Sequence, residues 1–94
     1  MTRQKVVIYT SDNCSACKKV VERMNTWGVD YIEKNISNNG SYLKDLQDKG
    51  IFGTPATFVD DYSVLGFQES KLKYELSMID SQDYFRNYYE EYDS

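Results

Sequence analysis

Apolar and polar positions along this chain fall into blocks that predict strand, helix, strand, helix, strand, strand and helix. Gln4 to Tyr9 contains Val6-Val7-Ile8-Tyr9, β-branched and almost wholly apolar. Such a run suits a strand covered on both faces. Ser11-Asp12-Asn13 is turn and capping chemistry. From Cys14 to about Trp27 the apolar positions take helical spacing, with Val20, Met24 and Trp27 on one face and Cys17 at its upper end. Gly28 is placed to end that helix. Val29 to Ile36 alternates imperfectly and predicts a second strand, paired parallel to the first through a right-handed crossover. A loop follows, with Ser41 as the expected N-cap of a short helix through Leu43 and Leu46 that ends at Gly50. Ala56–Val59 and Tyr62–Leu65 predict an antiparallel hairpin across Asp60-Asp61, broken by Gly66. Glu69 to Ile79 predicts a helix with Leu72, Leu76 and Ile79 inward.

The last fifteen residues differ in character. Tyr84, Phe85, Tyr88, Tyr89 and Tyr92 recur at helical spacing among Asp80, Asp83, Glu90, Glu91 and Asp93. Two readings stand: an extra amphipathic helix packed on the domain, or an acidic aromatic surface for a partner. Residues 1–79 are expected to form the main domain and 80–94 an extension of it.

The chemistry concentrates at Cys14-Ser15-Ala16-Cys17, which holds both cysteines of the chain. The pair follows a strand and a polar turn and opens a helix, a setting for dithiol–disulfide exchange. Unpaired N–H groups and the positive end of the helix dipole stabilise a thiolate there. The thiolate is the reactive form, and Cys14 is the better placed of the two. A zinc site needs further Cys or His ligands, and the chain has no other Cys and no His. A structural disulfide across two intervening residues gains little from loop closure. A buried inert pair and an iron–sulfur cluster shared by two chains remain as alternatives, though the polar turn favours exposure.

Ninety-four residues make one domain with one core. A net charge of −4 argues against binding to nucleic acid or an anionic membrane. The N-terminal apolar run is too short for a signal peptide or a membrane span, and no C-terminal anchor motif is visible. A cytoplasmic monomer is expected, and in a reducing compartment a lone CxxC pair reads as a working dithiol.

The element order β-α-β-α-β-β-α, with CxxC at the first helix and Thr54-Pro55 before the third strand, resembles the thioredoxin-like fold at glutaredoxin size. The run Tyr9-Thr10-Ser11-Asp12-Asn13-Cys14-Ser15-Ala16-Cys17 and Gly66-Phe67 after the hairpin are similar to the NrdH-type glutaredoxin-like redoxins, which deliver electrons to ribonucleotide reductase. The likeness spans roughly residues 4 to 79. It implies an α/β fold with a four-stranded mixed sheet. It also implies Cys14 as attacking thiol, Cys17 as resolving thiol, and Pro55 after a cis peptide bond. Thr54 would offer its backbone to an extended substrate. Ser11, Asn13, Gly66, Phe67, Gln68 and Glu69 complete the implied substrate site.

Several positions depart from the glutaredoxin pattern. Ser15-Ala16 replaces Pro and an aromatic, Ser11 a basic residue, Leu65-Gly66 a Gly-Gly pair, and Gln68-Glu69 the Thr-Asp or Ser-Asp pair that holds glutathione. Lys18 or Lys19 could replace the missing cation. The resemblance implies no bound cofactor, a protein disulfide as substrate, and thioredoxin reductase or glutathione as reductant. The potentials implied run from about −270 to −200 mV. With no His as base, helix-end N–H groups must supply the electrostatics, and Asp12 and Glu69, if close, would oppose the thiolate. Two rival readings remain, a glutathione-dependent thioltransferase and a non-catalytic binding module.

Overall fold

The structure is a computed structural model and describes residues 4–77. The expected tail helix over 80–94, and Ile79 at the end of the expected last helix, lie outside those residues. The elements follow the expected order: β1 (Val6–Thr10), α1 (Ser15–Thr26), β2 (Ile32–Asn35), α2 (Gly40–Asp48), β3 (Ala56–Val59), β4 (Tyr62–Leu65) and α3 (Glu69–Glu75). They build one four-stranded sheet in the order β2-β1-β3-β4. β1 runs parallel to β2 and antiparallel to β3, and β4 returns antiparallel beside β3. The sheet is therefore mixed.

Every residue of β1 is buried, because β1 is a central strand with a helix layer on each face. On one face Val6 and Ile8 pack with Val20 and Met24 of α1, Val59 and Val64 of the hairpin, and Leu72 and Leu76 at α3. On the other, Val7 and Tyr9 pack with Ala56 and with Leu46 of α2. The near-continuous apolar run in the sequence is the direct consequence of this two-sided cover. Trp27, Val29, Tyr31 and Phe67 close the margin of the first cluster.

Boundaries shift where local chemistry outweighs the apolar pattern. α1 starts at Ser15, with Cys14 outside it as the N-cap. β2 is four residues rather than eight, since its pairing begins only at Val7↔Ile32. Val29 instead donates its N–H to Met24 O in the turn after α1 and packs against the core. The N-cap of α2 is Asn39, not Ser41. The Asn39 side chain accepts from both Ser41 N (2.9 Å) and Ser41 Oγ (2.7 Å), so Ser41 is the residue being capped. α3 ends at Glu75, with Leu76 as its C-cap and Ser77 at φ +60°. Gly28 does take the left-handed conformation after α1, at φ +69°.

Among the described residues, Thr57 Oγ1 is a buried side-chain oxygen without a hydrogen-bond partner. An unmade hydrogen bond in the interior costs more than the hydroxyl returns. Thr57→Val keeps the branched shape and is expected to raise stability by about 1 kcal/mol. A urea melt checks this as a higher midpoint; a lower one would show that the hydroxyl is satisfied.

Candidate active site

The site begins where β1 stops. Thr10 ends the strand, Ser11-Asp12-Asn13 turns the chain with Asn13 at φ +57°, and Cys14 adopts an extended conformation ahead of α1. Asparagine tolerates that left-handed position better than most residues. Cys14 then caps the helix with its sulfur. Cys14 Sγ accepts the backbone N–H of Cys17 at 3.1 Å, one of the four donors that a helix start leaves unpaired. The two sulfurs are joined as a disulfide, with Cα atoms 5.2 Å apart. Cys14 is half-buried, whereas Cys17 is only 3% exposed. Of the two cysteines, Cys14 is the one that solvent reaches.

Three loops converge here. Ser11 Oγ and Thr54 Oγ1 share a hydrogen bond of 2.6 Å, linking the cysteine turn to the α2–β3 loop. The Thr54–Pro55 bond is cis. Pro55 is buried, and its carbonyl accepts from Gly66 N at 2.9 Å. That bond ties the end of β4 to the same point. On the other side, Asp12 N donates to Ser37 Oγ (3.0 Å), and Asp12 Oδ1 accepts from Asn35 Nδ2 (3.2 Å). Asn35 Oδ1 in turn accepts from Ser37 N and Asn38 N, which fixes the β2–α2 loop. The Asp12 carboxylate is thus engaged in positioning the turn.

Two concavities flank the Ser11–Thr54 bridge. One, of about 370 Å³, contains Ser11, Asn13, Cys14 and Cys17, with Thr10, Lys18, Glu33 and Asn35 among its walls. The other, of about 250 Å³, is lined by the 50–53 loop, Thr54, Pro55, Leu65 and Gly66. Its rim carries Phe52, which is 79% exposed, and Leu65. An exposed apolar edge of this kind suits contact with another protein.

Seven of the ten residues expected at the site line these two concavities: Ser11, Asn13, Cys14, Cys17, Thr54, Pro55 and Gly66. Phe67, Gln68 and Glu69 line neither. Phe67 packs against the core, with Arg23 (5.6 Å) and Lys19 (6.0 Å) over its ring. Gln68 Nε2 donates to Leu65 O at 2.6 Å. Glu69 pairs with Arg23 at 3.2 Å on the surface, so its charge is met by Arg23. Lys18 lines the cysteine pocket, while Lys19 is turned to Phe67.

Glu33 and Asn35 were not foreseen at the site. The parallel register puts Glu33 beside Ile8 and Asn35 beside Thr10, on the α1 face of the sheet. The signal in the sequence was their two-residue spacing within a strand, but only the register assigns the face.

A mixed four-stranded sheet, a CxxC pair at the start of its first helix and a cis X–Pro bond ahead of β3 define a thioredoxin-fold dithiol protein. Within that class a glutaredoxin family profile matches residues 6–64, and the chain belongs to the glutaredoxin family. It is 27% identical over 67 residues to the glutaredoxin-like protein NrdH of Lactococcus lactis subsp. cremoris, covering 71% of this chain and 93% of that one. The crystal structure of the thioredoxin-like protein BC3987 superposes with a TM-score of 0.70 at 30% identity, over 73% of this chain and 96% of that one. NrdH-redoxin from Escherichia coli superposes with a TM-score of 0.64 at 25% identity, over 68% and 84%. The chain is a glutaredoxin-like redox protein with a disulfide-forming Cys14–Cys17 pair.

Among the described residues no group of three or more His, Cys, Asp or Glu is placed to hold a metal ion. No described helix is long and apolar enough to cross a membrane.

Proposed function

We propose that this chain is a dithiol–disulfide oxidoreductase that reduces protein disulfides as an electron donor. The observation that carries the reading is the asymmetry of the pair: the half-buried Cys14 sulfur takes the Cys17 N–H, and Cys17 lies buried behind it. In the reduced protein the Cys14 thiolate attacks a substrate disulfide. One substrate sulfur leaves as a thiolate and the other stays bound to Cys14. Cys17, having lost its proton, attacks Cys14 and releases the second substrate sulfur. Two electrons pass to the substrate, and the Cys14–Cys17 disulfide remains to be reduced by an external dithiol.

In this reading the edge from Thr54 and Pro55 to Gly66 receives an extended segment of the substrate, with Ser11 and Asn13 framing the attacked sulfur. The exposed ring of Phe52 supports a protein rather than a small thiol as the partner. Phe67, Gln68 and Glu69 contribute indirectly, by fixing α3 and the end of β4. Relatives that carry the name NrdH, one with a described thioredoxin-like activity profile, support thioredoxin reductase as the source of electrons. Ribonucleotide reductase is then a recipient of the right class. The same reading takes the chain to be cytoplasmic and monomeric, with no nucleic-acid or membrane partner.

A second reading, glutathione-dependent thiol transfer, is favoured by Lys18, a cation within the cysteine pocket suited to a carboxylate. The reductant separates the two. With NADPH and thioredoxin reductase the oxidised protein is expected to turn over a protein disulfide. Turnover only with glutathione and glutathione reductase would replace the first reading with the second. Partner binding without turnover by either route would leave a binding module.

A further inference from the structure

We propose that Glu33 is the proton acceptor for the Cys17 thiol in the resolving step, reached through the hydroxyl of Thr10. The proposal rests on Cys14 attacking and Cys17 resolving.

Cys17 must lose a proton before it can attack Cys14, and its burial disfavours ionisation in place. The chain has no His to take that proton. The pocket into which Cys17 opens is walled by the charged residues Asp12, Lys18, Glu22 and Glu33. Asp12 is bound by Asn35 at the exposed turn. Lys18 is a cation and accepts no proton. Glu22 is an exposed residue of α1. Glu33 is exposed as well, and differs from the other three in having a hydrogen bond to a buried residue of this wall. Its Oε2 accepts from Thr10 Oγ1 at 2.8 Å, and Thr10 is 2% exposed and lines the same pocket as Cys17. The carboxylate is on the surface strand, while its hydrogen bond reaches inward to a buried hydroxyl.

A hydroxyl has one donor and two acceptor sites. Thr10 Oγ1 uses its donor on Glu33 and keeps acceptor capacity. The balance is then closed. The Cys17 proton passes to Thr10 Oγ1 as the Thr10 proton passes to Glu33. The Cys17 thiolate attacks Cys14 Sγ, the Cys14–substrate bond breaks, and the departing substrate thiolate takes up the proton held by Glu33, directly or relayed through water. Glu33 returns to its carboxylate with no net change.

The bland explanation is that Glu33 only satisfies the buried Thr10 hydroxyl. Glu33→Gln distinguishes the two, since its side-chain oxygen can still accept from Thr10 but cannot take up a proton. The measurement is single-turnover reaction of the reduced protein with one equivalent of 5,5′-dithiobis(2-nitrobenzoate). Attack by Cys14 releases the first thionitrobenzoate, and resolution by Cys17 releases the second. In Glu33→Gln the first phase is expected unchanged and the second slowed about a hundredfold near pH 7. The deficit should shrink as pH rises past the ordinary thiol range near 8.5. Glu33→Asp should recover part of the rate, and Thr10→Val should slow the second phase as well. A second phase in Glu33→Gln that matches the wild type at every pH overturns the proposal. Equal slowing of both phases also overturns it, by marking Glu33 as a structural prop. If the wild type itself releases no second equivalent, the resolving role of Cys17 falls, and this proposal with it.

Discussion

Cys14→Ser is expected to abolish disulfide reduction, lowering turnover of a protein disulfide by roughly a thousandfold or more. The loss is this large because a serine hydroxyl is essentially un-ionised near neutral pH, whereas a thiol at a helix start is largely thiolate. Cys17 cannot take over: the residue is only 3% exposed. Cys17→Ser should fail differently. Cys14 remains accessible and still attacks, so the first thiolate is released at the wild-type rate. The mixed disulfide then persists for want of a resolving thiol. Intact-mass spectrometry should find Cys17→Ser carrying a stoichiometric substrate adduct and Cys14→Ser carrying none. The reverse pattern would exchange the two roles.

Leu72→Ala is expected to lower stability by about 2 to 5 kcal/mol. Leu72 is fully buried and is the residue through which the seven-residue α3 packs on Val64, Ile8 and Met24. So short a helix does not hold itself together by backbone hydrogen bonds, and depends on this packing. A domain of this size has roughly 5 to 15 kcal/mol in total. With urea slopes of about 1 to 3 kcal/mol per M, the midpoint should drop by about 0.7 M or more. Leu65→Ala removes a similar side chain that is 50% exposed, and should cost no more than about 1 kcal/mol. Equal effects at Leu72 and Leu65 would mean that α3 contributes no packed face to the core.

The fold was legible wherever the sequence carried a strong period or a turn residue with one conformational use. The run Val6-Val7-Ile8-Tyr9 gave β1 its central place, and the Asp60-Asp61 turn fixed the β3–β4 hairpin to the residue. Gly28 and Gly66 both sit at positive φ, as their breaks in pattern implied. The weaker assignments failed for local reasons. Val29 and Tyr31 look strand-like because they alternate with polar neighbours, but they pack at the margin of the core, ahead of the paired residues of β2. Asn39 and Ser41 are both good caps, and only the hydrogen bonds show which caps the other.

At the site, the cysteine pair was legible because CxxC after a strand and a polar turn has few other uses. The cis Thr54–Pro55 bond came from family resemblance rather than from physics, since cis is a minority even before proline. Glu69 looked like a ligand residue, yet its carboxylate faces Arg23 on α1, a pairing across 46 residues that no local pattern announces. Glu33 was hidden for the same reason. A polar residue on an edge strand belongs to the site only once the register with β1 is known.

Alkylation of the reduced protein by iodoacetamide across pH, read by peptide mapping, tests the poised Cys14 thiolate most directly. Cys14 should reach its full rate well below pH 8, with a midpoint in the range of about 3.5 to 7.5 found for thiolates at helix starts, while Cys17 stays unmodified. Slow and equal modification of Cys14 and Cys17, both rising only near the ordinary thiol value of about 8.5, would contradict it.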